Sequence, residues 1–271
     1  MALAERPPRF GIVIPARYPS TRFLGKPLAP LVGATGLAKP LIQRAWEAAG
    51  QVPGTSGVWV ATDDERIADV VRSFGGDVIM TPATCRNGTE RIIAALPSLP
   101  PLDIVVNLQG DAPLTPAFVV TGLVEALAAD PHAAMATPGL TCSPSTYDHL
   151  VGDQAAGRVG GTTVVANSQG RALYFSKRVL PHIAPGQPQA HASVRLHLGI
   201  YAYRPAALRT YAALPPSALE ELEGLEQLRF LEADAPIRMV PFEPVGWDCI
   251  ELNNPEDTPA IEAVLKARGI A

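Results

Sequence analysis

From Phe10 to Ala129 the sequence exchanges short apolar runs for helical patterns in regular turn, and this exchange constrains the fold more than any single motif. Residues 10–15, 57–64, 77–80 and 103–111 are short and built around apolar runs, the pattern of strands buried on both faces. Residues 37–50, the stretch through Ile67, Val70 and Val71 up to Gly75, residues 87–96 and residues 117–129 place apolar side chains at helical spacing. Such a β-α alternation predicts an α/β fold with a mostly parallel, doubly wound sheet. Ligands of these sheets bind beyond the carboxyl ends of the strands, where the strand order reverses. Three chemically loaded segments, residues 15–28, 61–64 and 109–113, begin at such strand ends and are expected along one rim.

Beyond about residue 138 the pattern changes. "GTTVVANSQGRALYFSK" reads as two strands joined by a turn at residues 168–170, "HLGIYAY" as one further strand, and residues 217–231 as one long helix. Leu219, Leu222, Leu225 and Leu228 would form its buried stripe. With no repeat or low-complexity linker, the expectation is one domain over residues 1–271, with an inserted antiparallel section at about residues 138–205.

The chain has 271 residues, 47% of them hydrophobic, and a formal charge of −4. An acidic balance without basic runs excludes a polybasic nucleic-acid or membrane surface, so any anion site must be local. Cys85, Cys142 and Cys249 are widely spaced with no Cys-x-x-Cys pair, which argues against a disulfide framework or zinc knuckle. No apolar run reaches the length of a membrane span or leader, so a cytoplasmic protein is expected.

One such local concentration follows the first strand. "IPARYPSTRFLGKPL" brings Arg17, Ser20, Arg22, Gly25 and Lys26 into one loop. Guanidinium forks, backbone N–H groups and a glycine allowing close approach suit a polyphosphate. The P-loop and dinucleotide fingerprints are absent, and a solvated basic turn would have the same composition. Asp111, at the end of "VNLQGD", is a carboxylate held rigidly enough to bind Mg²⁺ facing a phosphate. Asp63 and Asp64 read equally well as caps of the helix that follows.

These residues carry a family resemblance. "IPARYPSTRFLGKPL", "VATDDERIADVV", "GGDVIMT", "NGTER", "VNLQGDAP", "ALYFSK", "HLGIYAY", "LEELEGLEQLR" and "NPED" stand in the order found in the 3-deoxy-manno-octulosonate cytidylyltransferase (CMP-Kdo synthetase) family, and the similarity spans about residues 10–265. The resemblance implies a Rossmann-like nucleotide-diphospho-sugar transferase fold, a cytidylyltransferase activity joining CTP to a small acidic acceptor with release of pyrophosphate, Mg²⁺ as cofactor, and a homodimer. By the same resemblance Pro15, Ala16, Arg17, Ser20, Arg22, Lys26, Arg86, Asn87, Gly88, Arg91 and Gln109 surround the nucleotide, with Thr89 and Glu90 nearby. Lys26, Asp111 and Arg17 would be catalytic. Gln109, His197, Tyr201, Glu226 and Gln227 would face the acceptor, and Asp111 and Asn253 the metal.

Several positions depart from the family pattern. Ala112 replaces a carboxylate, residues 84–87 read "TCRN", Thr163 stands for a lysine and Leu196 for an arginine, which reads as a loss of basic groups from the acceptor side. Asn253 replaces the second metal-binding aspartate, with Glu251 on the same face of an extended segment as a substitute donor. The default acceptor is the octulosonate. A modified sugar acid, a small phosphonate, or a nucleotide-binding homologue without turnover are the alternatives these departures raise.

Overall fold

The computed structural model describes residues 6–19, 23–184, 186–247 and 249–271. The chain divides into two compact units, residues 1–124 with 247–271, and residues 125–246.

The first unit is built from β1 (Phe10–Ala16), β2 (Pro30–Val32), β3 (Ala38–Pro40), α1 (Leu41–Gly50), β4 (Thr55–Thr62), α2 (Glu65–Ser73), β5 (Asp77–Met80), α3 (Gly88–Ala95) and β6 (Ile104–Leu108). The boundary between the units falls inside α4 (Ala117–Ala129). The order β5-β4-β1-β6 is parallel throughout, with Ile14 level with Val60 and Val13 level with Asn107. The chain therefore winds outward from β1 to β5 and returns to β6 on the other side of β1. That reversal is the expected switch point, and the segments leaving β1 and β6 flank it. β1 and β6 are apolar and buried almost throughout because helices cover a parallel sheet on both faces.

Local signals explain where the helices begin and end. Asp64 caps α2 by accepting from the Arg66 N–H, and Asn87 caps α3 by accepting from the Glu90 N–H. Gly75, at φ 84°, follows the end of α2 in a conformation that a side chain would resist. The helix expected over residues 37–50 starts only at Leu41, because residues 38–40 pair with residues 30–32 as a small antiparallel ribbon. The strand expected to reach Asp111 stops at Leu108, and residues 109–115 turn instead.

The second unit contains β7 (Met135–Thr141), α5 (Pro144–Ala155), β8 (Thr162–Ala166), β9 (Ala172–Ser176), β10 (Arg195–His197), β11 (Ile200–Tyr203), α6 (Pro205–Ala213), α7 (Ala218–Glu223), α8 (Leu228–Glu232) and β12 (Ile237–Phe242). β7 pairs antiparallel with β10 and β11 and parallel with β12, while β8 pairs antiparallel with β9 and β10. The β8–β9 turn falls where expected, with Asn167 Oδ1 accepting from the Gln169 and Arg171 N–H groups. "HLGIYAY" is two strands rather than one, broken at Leu198 and Gly199. The long helix expected over residues 217–231 is likewise two short ones, α7 and α8. Gly224 ends α7 at φ 62°, and Ser217 with Glu220 closes a capping box at its start. The break overturns the leucine stripe: Leu228 is buried, but Leu222 is 83% exposed.

The last helix, α9 (Thr258–Ala267), belongs to the first unit. Ile261 and Leu265 pack with Leu31, Leu41, Leu114 and Leu252. No described helix is long and apolar enough to cross a membrane.

Candidate active site

At the switch point of the first unit, Lys26 Nζ lies 2.6 Å from Asp111 Oδ2. Lys26 opens a short 3-10 turn, Lys26–Leu28, which Pro27 at its second position favours. Asp111 follows Gly110, where a methyl group would come within 3.2 Å of the Pro15 carbonyl oxygen, so the glycine lets the exit of β6 lie against the end of β1. The C-terminal segment then returns to the same place. The Leu252 N–H donates to the Asp111 carbonyl at 2.9 Å, which brings Glu251 and Asn253 alongside Asp111. Asn253 Nδ2 is 3.5 Å from Glu251 Oε2, and the Asn253 and Asn254 N–H groups both donate to Asp257 Oδ2. Trp247 Nε1 donates to the Leu114 carbonyl and ties this return down. Sequence spacing could not foresee the Leu252 bond, since it joins segments far apart in the chain.

Pro15 and Ala16 end β1, and Arg17 follows them, exposed. Ser20 and Arg22 lie outside the described residues. A methyl group at Gly88 would approach Gln109 Nε2 and Pro15 Cγ to 3.3 Å and Asn107 Nδ2 to 3.5 Å. The N-terminus of α3 therefore abuts the ends of β1 and β6, with its N–H groups and dipole suited to an anion. Arg86 is an exposed partner of Glu90, its backbone N–H also donating to that carboxylate. Arg91 is buried, 3.0 Å from Asp63 Oδ1 and donating to Thr81 Oγ1 at 2.7 Å. Its guanidinium braces α3 against the end of β4. Burial raises the Cys85 thiol, with Arg91 only partly opposing, so this cysteine is not poised as a nucleophile.

Asn107 was not singled out from the sequence. It is fully buried, and neither amide atom meets a partner among the described residues. The available signal was a polar side chain inside the otherwise apolar run "IVVNL".

The second unit holds its own polar cluster. His197 Nε2 is 2.9 Å from Thr137 Oγ1, and that hydroxyl donates to the Ile200 carbonyl at 2.8 Å. With its one proton committed, the hydroxyl must accept from His197, which fixes the Nε2–H tautomer and leaves Nδ1 an acceptor. Burial lowers the His197 pKa to about 3, so the ring is neutral. Its ring packs on Phe175 and Tyr201. Tyr201 donates to Gln227 Oε1 at 3.2 Å, while Gln227 Nε2 is buried and meets no acceptor among the described residues. Glu226 is next to Gln227 at the start of α8, half-buried. Beneath them Glu220 takes both Nε and Nη2 of Arg229, at 2.5 and 2.6 Å, and the Tyr211 hydroxyl at 3.1 Å.

Two departures from the family pattern prove unrelated to this cluster. Leu196 alternates away from His197 along β10 and packs with Cys142, Leu150 and Val194. Thr163 is buried, donating to the Arg178 carbonyl at 2.6 Å and accepting from the Leu180 N–H at 3.1 Å. In this chain both support packing and turn geometry.

The first unit is a parallel α/β sheet with a lysine, an aspartate and a helix N-terminus at its switch point, and the fold is that of the nucleotide-diphospho-sugar transferases. A solved CMP:2-keto-3-deoxy-manno-octonic acid synthetase complexed with CTP matches with a TM-score of 0.81 at 35% identity, over 96% of this chain and 99% of that one. The cytidylyltransferase family model matches residues 11–237. The 3-deoxy-manno-octulosonate cytidylyltransferase of Maricaulis maris is 45% identical over 258 residues, 95% of this chain and 97% of that protein. The enzyme of that name from Zea mays is 39% identical over 259 residues, covering 95% and 81%. The chain belongs to the 3-deoxy-manno-octulosonate cytidylyltransferase family.

Proposed function

We propose that the protein transfers CMP from CTP to 3-deoxy-manno-octulosonate with release of pyrophosphate, as a cytoplasmic homodimer using Mg²⁺. The observation that carries this reading is the Lys26–Asp111 contact at the switch point, with Glu251 and Asn253 held beside it by the Leu252 N–H. The cytosine and the octulosonate follow the names of the relatives, and the dimer follows the family resemblance alone.

In the proposed reaction an acceptor oxygen attacks the α-phosphorus in line. The new O–P bond forms as the bridge to the β-phosphorus breaks, pyrophosphate leaves with the electron pair, and the proton of the acceptor hydroxyl passes to solvent. Lys26, with Arg17, stabilises charge on the departing phosphates. The backbone of Pro15 and Ala16, the α3 N-terminus at Asn87 and Gly88, and Gln109 orient the nucleotide, while Arg86 and Arg91 act through Glu90 and Asp63. Ser20 and Arg22 are assigned to the phosphates by the family pattern. His197, Tyr201, Glu226 and Gln227 form the acceptor side, where a neutral His197 offers a hydrogen-bond acceptor to a hydroxyl. The donor set of Asp111, Asn253 and Glu251 consists of oxygens, which fits Mg²⁺ bound by one or two carboxylates and substrate phosphates. Those residues would hold the ion, and Mg²⁺ supplies charge neutralisation on the phosphates when bound.

The test is pyrophosphate release from CTP and Mg²⁺ with a panel of acceptors. Turnover with the octulosonate well above that with amino-sugar acids and phosphonates is expected, and turnover with a phosphonate alone would overturn the acceptor assignment.

A further inference from the structure

Lys26 is useful only if its ammonium is held in place, and it stands in the loop that follows β1. Two described anchors close that loop. The Gly25 N–H donates to the Tyr18 carbonyl at 3.0 Å, and Gly25, at φ 70°, is the residue from which the Lys26–Leu28 turn starts. Gly25 also lies against the Tyr18 ring, where a methyl group would meet ring carbons at 3.1 Å. Both the ring contact and the positive φ therefore demand glycine immediately before Lys26.

The Tyr18 ring is itself held from outside the loop. The Arg66 guanidinium carbon stands 3.3 Å from the ring centroid. Arg66 is fixed in turn by a forked contact to Asp64, Nε to Oδ1 at 2.9 Å and Nη2 to Oδ2 at 2.6 Å. Asp64 is the N-cap of α2 and follows the end of β4, a rigid part of the sheet. Arg66 beside it holds the Asp64 carboxyl below the usual carboxylate range. A planar guanidinium suits both jobs at once, forking onto a carboxylate and stacking on a ring.

We propose that Arg66 and Tyr18 are positioning residues for the nucleotide, a clasp running from Asp64 through Arg66, Tyr18 and Gly25 that sets Lys26 against its polyphosphate. The inference rests on reading residues 15–28 as the nucleotide loop. Neither side chain is placed on the substrate, so the clasp governs how tightly CTP binds rather than the chemical step. Arg66 is largely exposed, which keeps its contribution at the scale of a surface cation–π contact, about two- to five-fold in affinity.

The test is titration of the full-length protein with CTP in MgCl₂, together with steady-state rates. Arg66→Ala and Tyr18→Ala should each weaken CTP binding about two- to five-fold and leave kcat within about two-fold. Tyr18→Phe, which keeps the ring, should restore binding. The double variant should bind no more weakly than Tyr18→Ala alone, because one contact is lost in each case. Unchanged CTP affinity in Arg66→Ala, or losses that multiply in the double variant, would overturn the clasp. A Lys26→Ala control separates the two ideas: normal binding and turnover there would defeat the nucleotide loop itself, whereas a dead Lys26→Ala with a normal Arg66→Ala would defeat only the clasp.

Discussion

Lys26 Nζ and Asp111 Oδ2 are 2.6 Å apart at the ends of two segments that leave neighbouring parallel strands, with side chains 17% and 22% exposed. A cation and a carboxylate this close, partly withdrawn from water, form a contact stronger than an open surface pair. Under the proposed function, a polyphosphate entering the site would meet the lysine already oriented. Lys26→Ala and Asp111→Ala are each expected to lower pyrophosphate release by at least about 100-fold. Undiminished turnover in either variant would remove that residue from the site.

Asn253 tests the proposed metal site. Its amide oxygen brings no negative charge, while Glu251 Oε2 stands 3.5 Å from its Nδ2. Asn253→Asp should lower the Mg²⁺ concentration needed for half-maximal rate, since a second charge at the site tightens a hard cation. An unchanged metal titration would assign the role to Glu251, and Glu251→Gln should then raise the requirement.

The buried His197 makes stability depend on pH in a stated direction. Its folded pKa, about 3, is below the ordinary 6.5, so below pH 6.5 the unfolded chain binds a proton that the folded chain refuses. Stability contributed by the neutral ring is complete above pH 6.5 and declines as pH falls toward 3. Between pH 7 and pH 5 this group should cost about 2 kcal/mol. Urea unfolding at the two pH values measures it. His197→Gln, which can still donate to Thr137, should flatten that part of the pH profile, and an unaltered slope would show that other groups carry it.

Glu220 and Arg229 make a buried forked pair that Tyr211 completes, with side chains 10% and 4% exposed. Removing one partner leaves the other charge buried. Glu220→Ala should therefore destabilise the fold by about 3 kcal/mol, or lower Tm by about 6–12 °C. Because Arg229 lies in α8, whose N-cap is the proposed acceptor residue Gln227, the acceptor KM is expected to rise in the same variant. A Tm within about 1 °C of the parent would mean that water reaches and solvates the freed guanidinium.

Alternating apolar runs and helical patterns determined the parallel sheet and its switch point, and the composition of the strand-end loops marked Lys26 and Asp111 as candidates there. Those features are local, because periodicity reports which face of a segment is buried and a strand-end loop reports its own charges. What periodicity cannot report is which distant segment meets which. The Leu252 N–H reaching the Asp111 carbonyl, the opposite facing of Leu196 and His197, and the buried amide of Asn107 were decided only when the chain closed on itself. The same holds for residues 217–231, where a leucine pattern at helical spacing lost to Gly224 in a left-handed turn. Tertiary packing stabilises that break through the Glu220–Arg229 pair, which no local pattern encodes.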